Sequence, residues 1–288
     1  MHAEALIAEA AVALRALGIH NGPQEARWLW LHALREQPRA APCSGGAELD
    51  AATEAAFRCL LQRRVRGEPL QYVLGSAEFY GLELEVGPGV LIPRPETERL
   101  VDFALPFCTD GVVLCDVCTG SGAIALALVH ERPRLGAVYG TDLSAEALGY
   151  ARRNAARLGL PVTLLQGDLF APLAAGLRCG VITANPPYVS PDAYETLPAE
   201  VREREPRLAL WAAEGGLAVV ARIARESRAL LAPGGVVLCE ISSEQGEAAA
   251  RLFAAAGFGP VAVRRDYTDR ERVVVAHWPC GRAPERPA

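Results

Sequence analysis

Val112-Val113-Leu114-Cys115-Asp116-Val117 leads into Cys118-Thr119-Gly120-Ser121-Gly122, and the apolar run Ala123–Val129 follows. These segments predict a buried strand, a glycine-rich turn and a helix, in that order. This is the arrangement of nucleotide-binding sites, in which glycines let a ligand approach the backbone closely. Gly120 and Gly122 are one residue apart and no third glycine follows, so the pattern differs from the dinucleotide-binding fingerprint.

Strands and helices are predicted to alternate from about residue 100 onward, which favours an α/β fold with a parallel sheet. Strands are expected near residues 112–117, 137–141, 162–165, 180–184 and 235–241. Two more, at 261–264 and 272–277, have a short connection and should pair antiparallel, because a parallel crossover needs about a dozen residues. We therefore predict a doubly wound, mostly parallel, seven-stranded Rossmann-like sheet.

The first 70 residues predict a small helical domain. Apolar residues recur at helical spacing between residues 3 and 36, with a break at Gly18 and Asn21-Gly22-Pro23, and Thr53–Arg66 predicts a third helix. A loop is expected at 38–46. A linking β-hairpin is expected over 71–92, built from Tyr72–Leu74, Phe79-Tyr80 and Leu82–Val86. The α/β domain should then span 93–278, and 279–288 should be a disordered tail.

Four polar residues are predicted at strand ends, where open α/β sheets bind ligands: Asp116, Asp142, Asp168 and Asn185. Asp142 follows the last glycine by about 20 residues, the spacing of a ribose-binding acid. A glycine-x-glycine turn with Asp116 before it suits a cationic cofactor that carries a ribose, such as S-adenosylmethionine.

The predicted cofactor-binding residues are those of the glycine turn and of the strand ends. They are Asp116, Cys118, Thr119, Gly120, Ser121, Gly122, Asp142, Leu143, Asp168, Leu169 and Asn185. Asp142 is expected to accept the ribose hydroxyls, Asp168 the adenine amino group, and Leu169 to pack on the ring. The alternative interpretations are a helix-capping role for Asp142 and a turn aspartate at 168.

Asn185-Pro186-Pro187-Tyr188 follows the apolar run Gly180–Ala184. Two prolines end the strand ladder, and the residue before a proline is held extended. The result is a rigid strand end that suits a planar NH2 group, with the Asn185 side-chain oxygen and the Pro186 carbonyl as acceptors and the Tyr188 ring as cover. These four residues are our candidate catalytic residues. The alternative is a turn with a packed tyrosine.

Composition narrows the classes of function. The chain has 288 residues and a formal net charge of −5, and all 29 of its basic residues are arginine. A non-specific DNA-binding protein usually has a basic excess, so no direct nucleic-acid binding is expected. No apolar run approaches the roughly 20 residues that span a bilayer, and no signal peptide is evident, so a cytoplasmic location is expected. The eight cysteines and five histidines are dispersed, and neither a disulfide framework nor a metal site is expected.

A further segment, Ile92-Pro93-Arg94-Pro95-Glu96-Thr97-Glu98, carries a resemblance to a known family. Including this segment, the chain from about Leu60 to His277 resembles the release-factor glutamine-N5 methyltransferases (PrmC/HemK). The other matching pieces are Gly67–Tyr72, Gly75, Phe79–Gly81, Thr119–Ala125, Gly167–Phe170, Asn185–Tyr188, Glu205-Pro206 and Pro233–Gly235. The chain departs from the family pattern at Cys118, where glycine is expected, and within 211–216, 240–242 and 266–272.

The resemblance implies a class I S-adenosylmethionine-dependent methyltransferase. Its substrate would be the glutamine of the Gly-Gly-Gln motif in a peptide chain release factor, which is then the expected protein partner. Three alternatives stay open at this point: a relative that N-methylates a small-molecule amine or amide, a DNA adenine methyltransferase, and a cofactor-binding protein without turnover. The acidic charge balance argues against the DNA enzyme.

Overall fold

The structure is a computed structural model that describes residues 3–36 and 51–281. The loop expected at 38–46 lies outside the described residues, as does the part of the expected tail from residue 282 onward. The chain divides into two compact units. The smaller is Met1–Ser76 with Ala199–Arg204, and the larger is Ala77–Pro198 with Glu205–Ala288.

The helices are α1 (Ala3–Ala16), α2 (Gly22–Glu36), α3 (Ala51–Val65), α4 (Leu70–Leu74), α5 (Glu98–Ala104), α6 (Ala123–Glu131), α7 (Ala145–Leu158), α8 (Pro191–Glu195), α9 (Ala199–Arg204), α10 (Arg207–Leu210), α11 (Ala218–Glu226) and α12 (Gly246–Ala255). The strands are β1 (Ser76–Phe79), β2 (Leu82–Glu85), β3 (Leu114–Val117), β4 (Val138–Asp142), β5 (Thr163–Gln166), β6 (Cys179–Ala184), β7 (Leu231–Glu240), β8 (Val261–Arg265) and β9 (Glu271–His277).

The smaller unit is helical, as predicted, and its apolar interior includes Leu6, Leu14, Leu29 and Phe57. The prediction that Tyr72–Leu74 forms a strand is wrong, because these residues belong to α4. Gly75 ends this short helix in the left-handed conformation. The guanidinium of Arg63 donates to the carbonyl oxygens of Tyr72, at 2.9 Å, and Val73, at 3.2 Å. These contacts satisfy carbonyl groups that a helix of this length leaves free.

A buried ion-pair cluster joins distant parts of the sequence within the smaller unit. Arg64 is bonded to Glu25, with Nε and Oε2 2.7 Å apart, and to Glu200 of α9, with Nη1 and Oε2 2.8 Å apart. Arg204, also in α9, donates to the carbonyl oxygen of Arg66 at 2.8 Å. The sequence analysis did not anticipate that residues 199–204 belong to this unit, because no local pattern marks a contact over 136 residues.

The larger unit contains a seven-stranded sheet with the order β5-β4-β3-β6-β7-β9-β8. Neighbouring strands from β5 to β7 are parallel, and β9 pairs antiparallel with both β7 and β8. This confirms the predicted doubly wound sheet with a late antiparallel hairpin. Along the chain, the sheet extends from β3 through β4 to β5 on one side, and β6 then pairs on the other side of β3. The switch point therefore lies between β3 and β6, where such sheets open a crevice for ligands.

The β1–β2 hairpin packs on α7 through Asn154. The Asn154 side chain accepts from the Glu85 amide at 2.6 Å and donates to the Glu85 carbonyl at 3.1 Å. Its Nδ2 also donates to the carbonyl oxygen of Ser121 at 3.0 Å, which links the hairpin to the glycine turn. In the described part of the chain, no helix combines the length and the apolar character needed to cross a bilayer.

Candidate active site

A cavity opens at the carboxyl ends of β3, β4 and β6, next to the switch point of the sheet. Its walls come from the glycine turn, from the segment Gly89–Pro93 and from α11. The lining residues include Gly89, Val90, Thr97, Cys118, Thr119, Gly120, Ser121, Asp142, Leu143, Asp168, Leu169, Asn185, Pro187, Leu208 and Arg222. Most of the predicted cofactor-binding residues therefore surround one space.

The glycine turn has an unusual backbone that its sequence partly explains. Gly120 and Gly122 have φ values of 57° and 83°, a region that glycine enters without a steric penalty. Cys118 also has a positive φ, 57°, which is uncommon for a residue with a side chain. The family resemblance implies a glycine at this position, and the backbone of Cys118 has a conformation that favours glycine. Burial raises the pKa of the Cys118 thiol well above its usual range, so the group stays uncharged.

Asp142 lies at the end of β4 with its carboxylate held on both sides. Oδ2 accepts from the Gly120 amide at 2.8 Å, and Oδ1 accepts from the Ser144 amide at 2.9 Å. Burial raises the pKa of Asp142, and these amide donors oppose the shift. Each oxygen keeps a further lone pair, so the carboxylate can still accept a ligand hydroxyl. Helix capping falls to Ser144, whose Oγ accepts from the Ala147 amide at 3.1 Å.

Asp116 is fully buried and does not line the cavity. Its carboxylate accepts from the hydroxyl of Thr119 at 2.6 Å and from that of Thr183 at 2.8 Å. Burial is the main reason that its pKa is raised to about 7. The structure thus places Asp116 behind Thr119, where it holds the glycine turn, rather than at the cavity surface.

Asp168 lines the cavity together with a residue that the sequence analysis missed. The two oxygens of Asp168 accept from Nη1 and Nη2 of Arg222, each at 3.0 Å, in a bidentate pair. Arg222 lies in α11, and only the folded chain brings it to Asp168. Leu169 is 6% exposed and has a φ of 48°. Leu143, on the other strand end, is 52% exposed.

The Asn185–Tyr188 segment places its residues at different depths. Asn185 and Pro187 line the cavity, whereas Pro186 and Tyr188 do not. The Asn185 Nδ2 donates to Oγ1 of Thr97 at 3.2 Å, which leaves the amide oxygen free of this bond. The Tyr188 hydroxyl donates to Oε1 of Glu240 at 2.9 Å. Thr97 and Glu240 were assigned no role from sequence.

Arg94 anchors the Pro-Arg-Pro segment. Its guanidinium pairs with Oε1 of Glu205, and the Ile92 amide donates to Oε2 of the same carboxylate at 3.1 Å. The Glu205 side chain is 1% exposed. The buried Glu205 therefore joins two cavity walls, the segment Gly89–Pro93 and the segment that begins with Pro206.

Among the residues described by the structure, no three histidine, cysteine, aspartate or glutamate side chains form a group able to hold a metal ion.

Comparisons with known proteins agree with this architecture. Residues 5–75 match the family model of the PrmC N-terminal domain, and residues 99–232 match that of the methyltransferase small domain. The chain is 44% identical over 235 residues to the release factor glutamine methyltransferase of Moorella thermoacetica, covering 80% of this chain and 82% of that protein. It is 40% identical over 257 residues to the protein of the same name from Burkholderia pseudomallei, covering 86% of this chain and 89% of that protein.

Solved structures support the fold alone, because their sequences are distant. A methyltransferase from Pyrococcus furiosus has a TM-score of 0.53 at 18% identity and covers 79% of this chain and 99% of its own. A 16S rRNA N2 G1207 methyltransferase from T. thermophilus has a TM-score of 0.51 at 19% identity and covers 70% of this chain and 49% of its own. Both therefore support the predicted class of fold.

Proposed function

Because this chain belongs to the release factor glutamine methyltransferase family, we propose that it methylates the side-chain amide nitrogen of the glutamine in the Gly-Gly-Gln motif of a peptide chain release factor. The observation that carries the proposal is the orientation of Asn185 at the cavity wall. Its amide nitrogen is bonded to Thr97, so its oxygen is the atom available to a substrate N–H group.

The cavity residues fit S-adenosylmethionine as the methyl donor. Asp142 offers free lone pairs for the ribose hydroxyls, and its acidity suits a cationic ligand. Gly120 leaves open space, since a Cβ added there would meet only Val90, at 4.0 Å. Leu143 and Leu169 offer apolar surface for the adenine ring, and Asp168 retains acceptor capacity beside Arg222. When bound, this cofactor supplies a methyl group on a positively charged sulfur.

The main task of the protein residues is to orient the substrate amide. An amide nitrogen is a poor nucleophile because its lone pair is delocalised into the carbonyl. In our proposal, the substrate amide binds beside the cofactor cavity, where the Asn185 oxygen and the Pro186 carbonyl accept its two N–H groups and thereby fix the direction of the lone pair. Of these two residues, only Asn185 also lines the cavity itself. Pro187 keeps this strand end rigid, and Tyr188, fixed by Glu240, covers the amide plane. Positioning of this kind contributes up to roughly 7–11 kcal/mol in favourable systems.

The function is tested by incubating the full-length protein with S-adenosylmethionine and a release factor, followed by mass spectrometry of the factor's peptides. We expect a mass increase of one CH2 unit on the glutamine of the Gly-Gly-Gln motif. A release factor in which this glutamine is replaced by asparagine is the control. Turnover of a small amine, amide or nucleic acid, without any modification of the cognate factor, would contradict the proposal.

Replacing Asp142 with alanine should weaken S-adenosylmethionine binding about tenfold to a hundredfold. The change removes a charged acceptor, and hydrogen bonds to charged groups contribute roughly 1.5–3 kcal/mol. Calorimetric titration measures the effect. Asp110→Ala is a matched control, because the pair between Asp110 and Arg134 is largely exposed. Equal affinity of the Asp142 variant and the parent would remove Asp142 from the cofactor site.

A further inference from the structure

Gln245 is a buried side chain in the turn between β7 and α12, and it reaches the Asn185–Tyr188 segment. Its Nε2 donates to the carbonyl oxygen of Tyr188 at 3.0 Å and to that of Gly215 at 2.9 Å. Its Oε1 accepts from the Ser242 amide at 2.9 Å, and the residue is 7% exposed. Gln245 precedes α12 directly, yet its side chain does not cap that helix. Two of its three bonds go instead to carbonyl groups 57 and 30 residues earlier in the chain.

The surroundings of this side-chain amide fix its orientation. The nitrogen of a glutamine side chain donates two hydrogens, whereas the oxygen only accepts. Tyr188 and Gly215 present carbonyl oxygens, and Ser242 presents an N–H group. A reversed amide would place its oxygen against two oxygens and its nitrogen against a donor, so all three bonds would be lost. Gln245 therefore holds the Tyr188 carbonyl in one orientation.

Pro186 and Pro187 cannot fix the backbone of their own segment by donating hydrogen bonds, because a proline has no N–H group. Their placement depends on the residues on either side. On one side, Ala184 pairs with β3 and with β7 inside the sheet. On the other side, the Tyr188 carbonyl accepts from Gln245. The segment is thus fixed at its two ends, and Gln245 supplies a bond at the second end.

We propose that Gln245 is a positioning residue, which sets where the Pro186 carbonyl and the Tyr188 ring meet the substrate amide. Tyr188 is held at two points, its carbonyl by Gln245 and its hydroxyl by Glu240 at 2.9 Å. Both partners come from the end of β7 and the turn that follows it. The inference rests on the proposed function, because it gives a purpose to the rigidity of the Asn185–Tyr188 segment.

Two neighbouring glycines differ in their distance from this contact. Gly216 has a φ of 86°, and a Cβ added to it would collide with the Tyr188 carbonyl oxygen and lie 2.5 Å from Nε2 of Gln245. Gly215 has a φ of 65°, and a Cβ added to it would enter open space in the described part of the chain. Replacing either glycine with alanine strains the backbone, but only the change at Gly216 pushes on the Tyr188 carbonyl.

The first test compares the steady-state kinetics of Gln245→Met and the parent on a release factor. Methionine has a similar length but cannot donate to the two carbonyl groups. We expect kcat to fall roughly tenfold to hundredfold, because a small misplacement at a reacting centre has an effect of this size. The KM for the factor and the affinity for S-adenosylmethionine should change little.

The fold of Gln245→Met should survive, because the next residue keeps its own anchors. The Val189 amide donates to the Leu210 carbonyl at 2.8 Å, and the Val189 carbonyl accepts from the Ala212 amide at 2.9 Å. Gln62→Met is the control, since it makes the same change at an exposed position of α3. A folded Gln245→Met protein with the kcat of the parent, or with a loss confined to stability or affinity, would overturn the inference.

The second test uses the two glycines and serves also if Gln245→Met fails to fold. Gly216→Ala should lose about tenfold more turnover than Gly215→Ala, because it alone displaces the Tyr188 carbonyl. Circular dichroism and calorimetric titration with S-adenosylmethionine check that both variants fold and bind the cofactor. Equal losses of turnover in the two variants would contradict the role of this contact.

A readout without catalysis separates this inference from the proposed function. Fluorotyrosine is incorporated at the seven tyrosines, and Tyr188→Phe identifies the 19F resonance of Tyr188. We expect this resonance to shift or broaden in Gln245→Met and Gly216→Ala but not in Gly215→Ala. If it does not respond, the inference fails even when a release factor is methylated. If it responds but the parent methylates no release factor, the proposed function fails and the role of Gln245 in holding Tyr188 stands.

Discussion

Replacing Asn185 with alanine is expected to lower kcat by about 10²–10³-fold while leaving the fold and most of the affinity for S-adenosylmethionine intact. Removal of one preorganised hydrogen-bonding group at a reacting centre has an effect of this size in other enzymes. The loss should appear in kcat, because the orientation of the nucleophile matters most in the transition state. The side chain is half-buried and donates one hydrogen bond, to Thr97, and the loss of such a bond should lower stability by only about 1 kcal/mol.

The measurement is single-turnover methylation of a release factor, with circular dichroism and calorimetric titration of the same samples. Asn21→Ala is the matched control, because it makes the same chemical change at an exposed turn of the smaller unit. The variant Asn185→Asp separates the two ends of the side chain. Aspartate keeps an acceptor oxygen but has no N–H group to donate to Thr97. A folded Asn185→Ala protein with near-normal turnover would exclude the Asn185–Tyr188 segment from the mechanism.

Replacing Arg64 with alanine should reduce the free energy of unfolding of the smaller unit by about 3–5 kcal/mol. The guanidinium is bonded to Glu25, which is 5% exposed, and to Glu200. Its loss would leave a buried carboxylate without its partner, and the desolvation cost of that charge exceeds the value of an ordinary ion pair. Arg64 Nη1 also donates to the carbonyl oxygen of Glu68 at 3.0 Å, and this bond would be lost too.

Hydrogen exchange of the amides in α1, α2 and α3 measures this effect on the smaller unit alone. Arg58→Ala is the control. Arg58 lies in the same helix and pairs with Glu54 four residues earlier, but that pair is partly exposed and should contribute no more than about 0.5 kcal/mol. Equal protection of the helices in the Arg64 and Arg58 variants would show that the buried cluster does not stabilise the unit.

Much of the sheet was predictable because its strands are short apolar runs between turns. The seven predicted strands are all present, and the short connection between β8 and β9 correctly indicated antiparallel pairing. Tyr72–Leu74 was mistaken for a strand because three apolar or aromatic residues in a row fit either structure. The deciding features were Gly75 and the guanidinium of Arg63, and the second of these acts only in the folded chain.

The site was predictable where its residues end strands and unpredictable where they support others. Asp142, Asp168 and Asn185 line one cavity, as the strand-end rule suggested, and Asp116 lies behind it. Glu240 also lies near the end of a predicted strand, so the strand-end rule could have identified it from the sequence. Arg222 and Glu205 had no such signal, because their partners lie far away in sequence.

The inclusion of α9 in the smaller unit has a consequence for the order of events during synthesis. Glu200 is made 136 residues after Arg64, and β3, β4, β5 and β6 all precede it in the chain. On the ribosome, α1–α4 therefore emerge early, yet Arg64 has Glu25 and not Glu200 as a partner until α9 arrives. The first-made unit is completed late, and a nascent chain halted before residue 199 would carry it in an unfinished form.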